Sequence, residues 1–241
     1  MRPLVLIVPL ALVLAACSGP STKQVAPPTQ TPQPSVVATT AAPTPSPTPS
    51  PTPTPTPKAT PSRTVPAIDG DVDGDGKPDS IRTSATLLSV ELSHSGRTVT
   101  APIHAEAPRS APVLGSKDID RDGFAEVFLE TAQGASTTFA TPYRFDGKAL
   151  HELQLDAGPV RLGIGGSVRH GDGFRCTPTG QLEVRSADSA DGRDFTVHVS
   201  LYRLTATQLV LINSTTSRAK QGDASVENSY NVDCGSVGEG G

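Results

Sequence analysis

Hydrophobic residues alternate with polar residues in two separate stretches of the chain. Leu88, Val90 and Leu92 are separated by polar neighbours, and the same period of two runs over residues 195–202. This spacing is typical of β-strands that bury one face. Compact apolar runs at residues 125–129 and 209–212 predict two further strands with more burial. No helical periodicity extends beyond two turns, so the pattern predicts a mainly β fold with antiparallel sheets.

The N-terminus carries an apolar run that is too short for a stable transmembrane helix. Arg2 precedes the almost wholly apolar residues 4–14, a pattern typical of an export signal. The sequence LAAC at residues 14–17 follows and resembles the lipobox of bacterial lipoproteins. That resemblance implies a signal peptide over residues 1–16 and an acylated Cys17 that holds the protein in the lipid bilayer, on the outer face of the cell membrane. The alternative is an ordinary signal peptide, with Cys17 incidental.

Residues 17–66 differ in composition from the rest of the chain. After the cysteine they are dominated by Thr, Ser and Pro, and they contain no aromatic and no acidic residue. Such a segment cannot bury enough apolar surface to offset its ordering entropy, so we expect a disordered stalk with polyproline II character. Fully extended, it would reach on the order of 150 Å, which is enough to carry a domain into or through a cell wall. Its composition also permits O-glycosylation.

The remaining residues, 67–241, are acidic and long enough for a domain with a hydrophobic core. All 24 acidic residues lie here with 16 of the 20 Lys and Arg residues, which gives a formal charge of −8. This charge argues against a nucleic-acid partner and fits a domain that recruits divalent cations. With Cys17 used for lipid attachment, Cys176 and Cys234 form an even pair in an oxidising compartment. We expect a disulfide between them; two free buried thiols are the alternative.

Two loops, at residues 71–79 and 118–126, have the same acidic pattern. Each places carboxylates at positions 1, 3, 5 and 9 and glycine at position 6. Alternate side chains of a tightly curled loop converge on one centre, and an oxygen-only cage suits calcium better than magnesium. The predicted ligands are the side chains of Asp71, Asp73, Asp75 and Asp79 with the Lys77 carbonyl, and those of Asp118, Asp120, Asp122 and Glu126 with the Phe124 carbonyl. The alternative interpretation is that both segments are hairpin turns.

The loops are not EF-hands, because Arg82 and Leu129 stand at position 12, where that motif has glutamate. The ninth-position carboxylate followed by an apolar strand instead resembles FG-GAP and VCBS repeats. That resemblance implies β-propeller-like blades with calcium in a loop between strands. The loops start 47 residues apart, a plausible blade period.

A weaker echo of the motif lies at residues 172–174 and lacks the carboxylates needed for metal. About three blade units would fit, which is too few for a normal closed propeller, so we expect an open or incomplete arrangement. We divide the domain into two calcium-loop repeats (67–170), a disulfide-closed β meander (171–234) and a frayed tail (235–241). The meander is either part of the stacked sheets or a separate unit.

No catalytic motif is present in the sequence, and the five histidines are scattered without metal-ligand spacing. We assign no catalytic residue and expect a non-enzymatic binding or adhesion module of an actinobacterial-type surface lipoprotein. Its ligand would be a cell-wall polymer, a protein or a carbohydrate. An anchored hydrolase acting on envelope material and a purely structural envelope protein are the alternatives. A cluster of exposed aromatic residues would indicate a binding face; the candidates are Phe139, Tyr143, Tyr202 and Tyr230.

Overall fold

The computed structural model describes residues 69–106 and 111–238. The predictions for residues 1–66, including the signal peptide, the lipidated Cys17 and the stalk, lie outside the described residues. The first described strands form a three-stranded antiparallel sheet in chain order. They are β1 (Ser80–Thr83), β2 (Leu87–Glu91) and β3 (Thr98–Pro102).

A second, twelve-stranded sheet contains the other strands. Its strands are β4 (Val113–Lys117), β5 (Glu126–Gln133), β6 (Thr137–Phe145), β7 (Leu150–Glu152), β8 (Gln154–Leu155), β9 (Gly158–Pro159), β10 (Leu162–Ser167), β11 (His170–Cys176), β12 (Leu182–Ser189), β13 (Asp194–Thr205), β14 (Gln208–Lys220) and β15 (Val232–Asp233). The main path runs β4-β5-β6-β10-β11-β12-β13-β14-β8-β9, with β7 beside β6 and β15 beside β11. Most pairs are antiparallel, but β15 and β8 pair in parallel with β11 and β14. Neither sheet closes on itself over the described residues.

The alternating patterns predicted the strands correctly. In β2, Leu88 and Val90 are buried, Ser89 between them is half-buried, and Leu87 and Glu91 on either side are exposed. In β13, Phe195 and Val197 are buried on one face in the same way. The only helical segments of the described chain are α1 (Ala224–Glu227) and a short 3-10 turn (Asn228–Tyr230). The prediction of a mainly β fold is therefore confirmed.

The prediction of burial for residues 209–212 is wrong for three of the four. Leu209 is buried, but Val210, Leu211 and Ile212 are 41%, 53% and 47% exposed. The reason is the position of β14 in the sheet. Only its first two residues pair with β8, and the rest of the strand has β13 as its single neighbour among the described strands. An edge strand of this kind leaves apolar side chains in solvent.

Strand β5 is buried on both faces and joins two hydrophobic clusters. Val127 and Leu129 pack with the first sheet in a cluster that includes Val72 and Leu88. Phe128 points into a second cluster with Phe174, and their rings stack at a centroid distance of 5.8 Å. A third, smaller cluster joins β12 and β13 to the helix α1. The loop at residues 118–126 leads directly into this doubly buried strand.

The C-terminal segment is packed rather than frayed up to residue 238. Cys176 and Cys234 lie within disulfide-bonding distance, with their Cα atoms 4.7 Å apart. Val237 is buried, and the Gly238 N–H donates to the Leu114 carbonyl at 3.0 Å. The weak motif echo at residues 172–174 lies inside β11 and forms no loop.

Ser116 in β4 is in contact with both ends of the described domain. Its hydroxyl oxygen accepts the Gly70 N–H at 2.6 Å, and its carbonyl accepts the Ser236 hydroxyl at 3.2 Å. The neighbouring Gly115 has φ +141°, and a Cβ there would lie 2.6 Å from the Ser236 carbonyl oxygen. Glycine is therefore required for this close approach of the C-terminal segment.

No helix in the described ranges has both the length and the apolar character needed to cross a membrane.

Candidate metal centre

The first acidic loop is folded around the carboxylate of Asp71. Its Oδ1 accepts the N–H of Asp75 and its Oδ2 accepts the N–H of Gly76, both at 2.9 Å. The chain can turn this tightly because Gly74 and Gly76 adopt positive φ angles of 69° and 90°. The glycine-containing acidic pattern therefore curls the backbone around its own first carboxylate.

Asp79, at the ninth position, closes the first loop. Its Oδ2 accepts the N–H groups of Val72 and Asp73 at 2.8 Å and 3.1 Å. Its Oδ1 accepts the Ser93 N–H at 2.6 Å, just beyond the end of β2. The carboxylate thus joins the beginning of the loop to the sheet that follows it.

The second loop repeats three of these hydrogen bonds at the matching positions. Asp118 accepts the N–H groups of Asp122 and Gly123 at 3.1 Å and 3.0 Å. Glu126 Oε2 accepts the Ile119 N–H at 2.8 Å, as Asp79 accepts that of Val72. The two positive φ angles also recur at the same positions.

Those angles are 63° at Arg121 and 94° at Gly123. Arg121 stands where the first loop has Gly74, and a non-glycine residue there is strained. Its guanidinium donates to the Pro178 carbonyl at 2.6 Å. The second loop therefore keeps the same backbone course with a less permissive residue.

Each loop brings three carboxylates together. One candidate oxygen from each member of a triplet lies within 4.8 Å of the others, and the triplets are Asp71, Asp73 and Asp79, and Asp118, Asp120 and Glu126. The fifth-position residues do not belong to these triplets. Asp75 instead accepts the Ser93 hydroxyl at 2.8 Å, and Asp122 is bonded to Arg144. The carbonyls of Lys77 and Phe124 stay predicted ligands.

Burial makes these carboxylates costly to ionise. In the first loop, burial raises the pKa of Asp71. The pKa of Asp73 is raised mainly by burial and, to a smaller extent, by the negative charge of Asp79. In the second loop, burial raises the pKa of Asp118. Glu126 is fully buried, and burial together with the charge of Asp120 holds its pKa well above the ordinary value. A cation at either triplet would offset this unfavourable concentration of negative charge.

Two oxygens of the second triplet have no hydrogen-bond partner. They are Asp120 Oδ1 and Glu126 Oε1, and both atoms are buried. A buried carboxylate oxygen without a donor is unfavourable unless a cation lies beside it. All three side chains of the triplet offer oxygen only, which is the ligand type of hard cations such as calcium. The donor set therefore fits a metal ion of this class.

Arg144 in β6 is a neighbour of the second triplet that the sequence did not reveal. Its guanidinium donates to Asp120 Oδ2 at 2.7 Å and also to Asp122 Oδ2. The same group lies 3.9 Å from Glu126 Oε1. The side chain is only 12% exposed, so this positive charge is held within the loop. No motif links residue 144 to the loop, because the contact depends on strand register.

The two loops are in direct contact. The Ala125 N–H, next to the ligand candidate Glu126, donates to the Asp71 carbonyl at 2.8 Å. Phe124 packs against the cluster that contains Val72. A change in one loop therefore reaches the other through a backbone hydrogen bond and shared apolar packing.

Neither triplet contains a histidine. His170 is held between two carboxylates, with Nδ1 2.7 Å from Asp188 Oδ1 and Nε2 2.7 Å from Asp172 Oδ2. These hydrogen bonds, above all the one to Asp188, raise the pKa of His170. The other contacts pair His104 with Glu152, His151 with Asp146 and His198 with Thr216.

The aromatic candidates do not share one exposed face. Tyr143 is fully buried in the cluster of the first sheet. Tyr202 and Tyr230 are half-buried against the second and third clusters. Phe139 is half-buried in β6. The arrangement favours roles in the core for these residues over an aromatic binding surface.

In comparisons with known proteins, no family model, no curated protein and no solved structure matches the chain.

Proposed function

We propose that the two acidic loops bind calcium and that the bound ions stabilise the β domain. The observation that carries the proposal is the buried Glu126 carboxylate, whose Oε1 lacks a hydrogen-bond partner beside Asp118 and Asp120. The matching hydrogen bonds of the first loop extend the proposal to Asp71, Asp73 and Asp79.

Calcium suits these loops because it accepts six to eight oxygen ligands in flexible geometry. Each triplet supplies three carboxylates, and the carbonyls of Lys77 and Phe124 with water would complete the shell. The loop-then-strand order, with β1 and β5 following directly, supports the resemblance to FG-GAP and VCBS repeats. The blades would form an open arrangement.

We further propose that the domain belongs to a lipid-anchored protein of the cell surface. The LAAC sequence before and including Cys17 and the Thr/Pro-rich residues 17–66 support an acylated anchor followed by a stalk. The domain would serve as a non-enzymatic module at the end of that stalk.

Calcium titration of the full-length chain in mild detergent tests the first proposal. We expect calorimetric heat of binding, and a melting temperature that rises with calcium and falls with a chelator. The double variant Asp73→Ala and Asp120→Ala should melt in calcium close to the chelated wild type. A control that removes two carboxylates elsewhere, Glu91→Ala with Asp194→Ala, should keep the calcium response. A wild-type response in the loop variant would refute the ligand assignment.

The anchor is tested by expressing the chain in a bacterial host and comparing the wild type with Cys17→Ala. The wild type should sediment with membranes, and its N-terminal peptide should carry the mass of a diacylglycerol group on Cys17. The variant should lose both properties. An unmodified Cys17 in the exported wild type would contradict the anchor.

A further inference from the structure

We infer that Arg144 determines the cation affinity of the second loop, so that the first loop is the tight calcium site and the second is the weaker one. The inference rests on the proposed calcium binding and concerns the difference between the two loops. The guanidinium of Arg144 already supplies, in the second loop, part of the positive charge that a bound metal ion would bring.

Strand register places Arg144 at a defined position of the repeat. In the first sheet Ser80 pairs with Glu91, so one further step along the ladder places Asp79 opposite Leu92. In the second sheet Val127 pairs with Tyr143, and the same step places Glu126 opposite Arg144. The residue beside the ninth-position carboxylate is therefore an aliphatic side chain in one repeat and a guanidinium in the other.

The contacts of the two side chains differ accordingly. Leu92 is buried in the hydrophobic cluster of the first sheet and brings no charge. Arg144 donates to Asp120 and Asp122 and faces Glu126 Oε1. Within the described residues, no Lys or Arg side chain forms an ion pair with the carboxylates of the first loop.

A cation entering the second loop meets a positive charge that is already held there. The cation must either share the Asp120 carboxylate with the Arg144 guanidinium or displace the guanidinium. Two positive charges on the same carboxylate repel each other. Asp120 Oδ1 and Glu126 Oε1 remain without donors, so ligand atoms are still available. The second loop therefore keeps a site, but with an affinity that we expect to be roughly tenfold or more below that of the first.

The test uses calorimetric calcium titration of the full-length chain in a background that disables the first loop, Asp73→Ala. In this background Arg144→Leu introduces the residue found at the matching position of the first repeat. We expect it to tighten calcium binding roughly tenfold, because it removes the competing charge. Arg144→Lys keeps a positive charge and is the matched control, with binding as weak as in the parent.

A second readout follows folding without relying on heats of binding. In chelator, Arg144→Leu should melt below the parent because the loop carboxylates lose their counter-charge, and calcium should restore more stability than it does in the parent. Arg144→Gln, which removes the charge but keeps a polar side chain, should behave in the same direction. It provides the same comparison where the leucine variant does not fold.

Three outcomes distinguish the proposed effect of Arg144 from the proposed calcium binding itself. Tighter binding in the neutral variants, but not in Arg144→Lys, supports the inference. Unchanged binding in the neutral variants overturns it, while calcium binding by the wild type leaves the proposed function intact. Absence of calcium binding in the wild type and in every variant overturns both.

Discussion

Removal of the disulfide bond between Cys176 and Cys234 should lower the stability of this domain substantially. The two cysteines are 58 residues apart in sequence, and closing a loop of that length is worth about 4 kcal/mol in the chain-entropy treatment. Cys234 is buried, so alanine is the appropriate replacement because a serine hydroxyl there would need a partner. The variant Cys176→Ala with Cys234→Ala should therefore lose about 4 kcal/mol of unfolding free energy.

Urea denaturation measures this loss. The chain has no tryptophan, so far-UV circular dichroism of the β-sheets is the suitable signal. With a denaturant slope of roughly 2 kcal/mol per M, the midpoint should fall by roughly 2 M. Wild-type protein with a reductant should unfold at the same lower urea concentration as the double variant. The two samples then lack the same cross-link by independent routes.

An unchanged midpoint in the double variant would refute the reasoning. It would mean that the packing of the C-terminal segment, through buried Val237 and the Gly238 hydrogen bond to Leu114, restrains the chain without the cross-link. A lower slope with an unchanged midpoint would instead indicate residual structure in the unfolded chain.

Three other predictions concern local features. His170→Gln should destabilise the domain more at pH 5.5 than at pH 8.5. The bond to Asp188 raises the folded-state pKa, so the stabilisation is complete below the unfolded pKa of about 6.5 and is lost as pH rises through the folded value. Phe128→Ala should cost about 3–5 kcal/mol in chemical denaturation, because it removes a fully buried ring stacked on Phe174. Gly123→Ala should cost about 1–2 kcal/mol, since φ is 94° there.

Matched controls keep these predictions specific. Val168→Ala shortens a side chain that is 80% exposed and should be nearly neutral. Gly158→Ala adds a methyl group where nothing lies within 4 Å and φ is not positive. Equal effects in control and test variants would contradict the structural explanations.

Local sequence patterns predicted the strands but not their neighbours. The alternation around Leu88 and Val90 was sufficient for β2, because side-chain direction in a strand follows directly from position. The exposure of Leu211 and Ile212 could not be predicted, since it depends on which strand lies beside β14. The motif echo at residues 172–174 lies in a strand and not in a loop, and three residues of similar composition carry no information about strand register.

The sequence likewise predicted the local part of the candidate site but not the contacts made by distant residues. Carboxylate and glycine spacing identified both loops, because each loop folds around its own first carboxylate through local backbone N–H groups and needs no distant partner. Arg144 was missed because it reaches Asp120 from β6, the strand beside β5, and lies 24 residues further along the chain. The selection of Asp73 and Asp120 over Asp75 and Asp122 for the triplets also depends on outside partners, among them the Ser93 hydroxyl.

If residues 17–66 form the proposed stalk, the shared contacts of Ser116 have a mechanical consequence for the domain. Tension applied at Asp69 would load the Gly70–Ser116 hydrogen bond to β4 and the first acidic loop before it loads β1. At the opposite end, Cys234 passes tension to β11 through a covalent bond. The first loop is therefore the part of the domain that we expect to open first under load, and a calcium ion bound in it would raise the force needed to open it. In a single-molecule pulling experiment from the N-terminal side, chelation should lower the force of the first rupture.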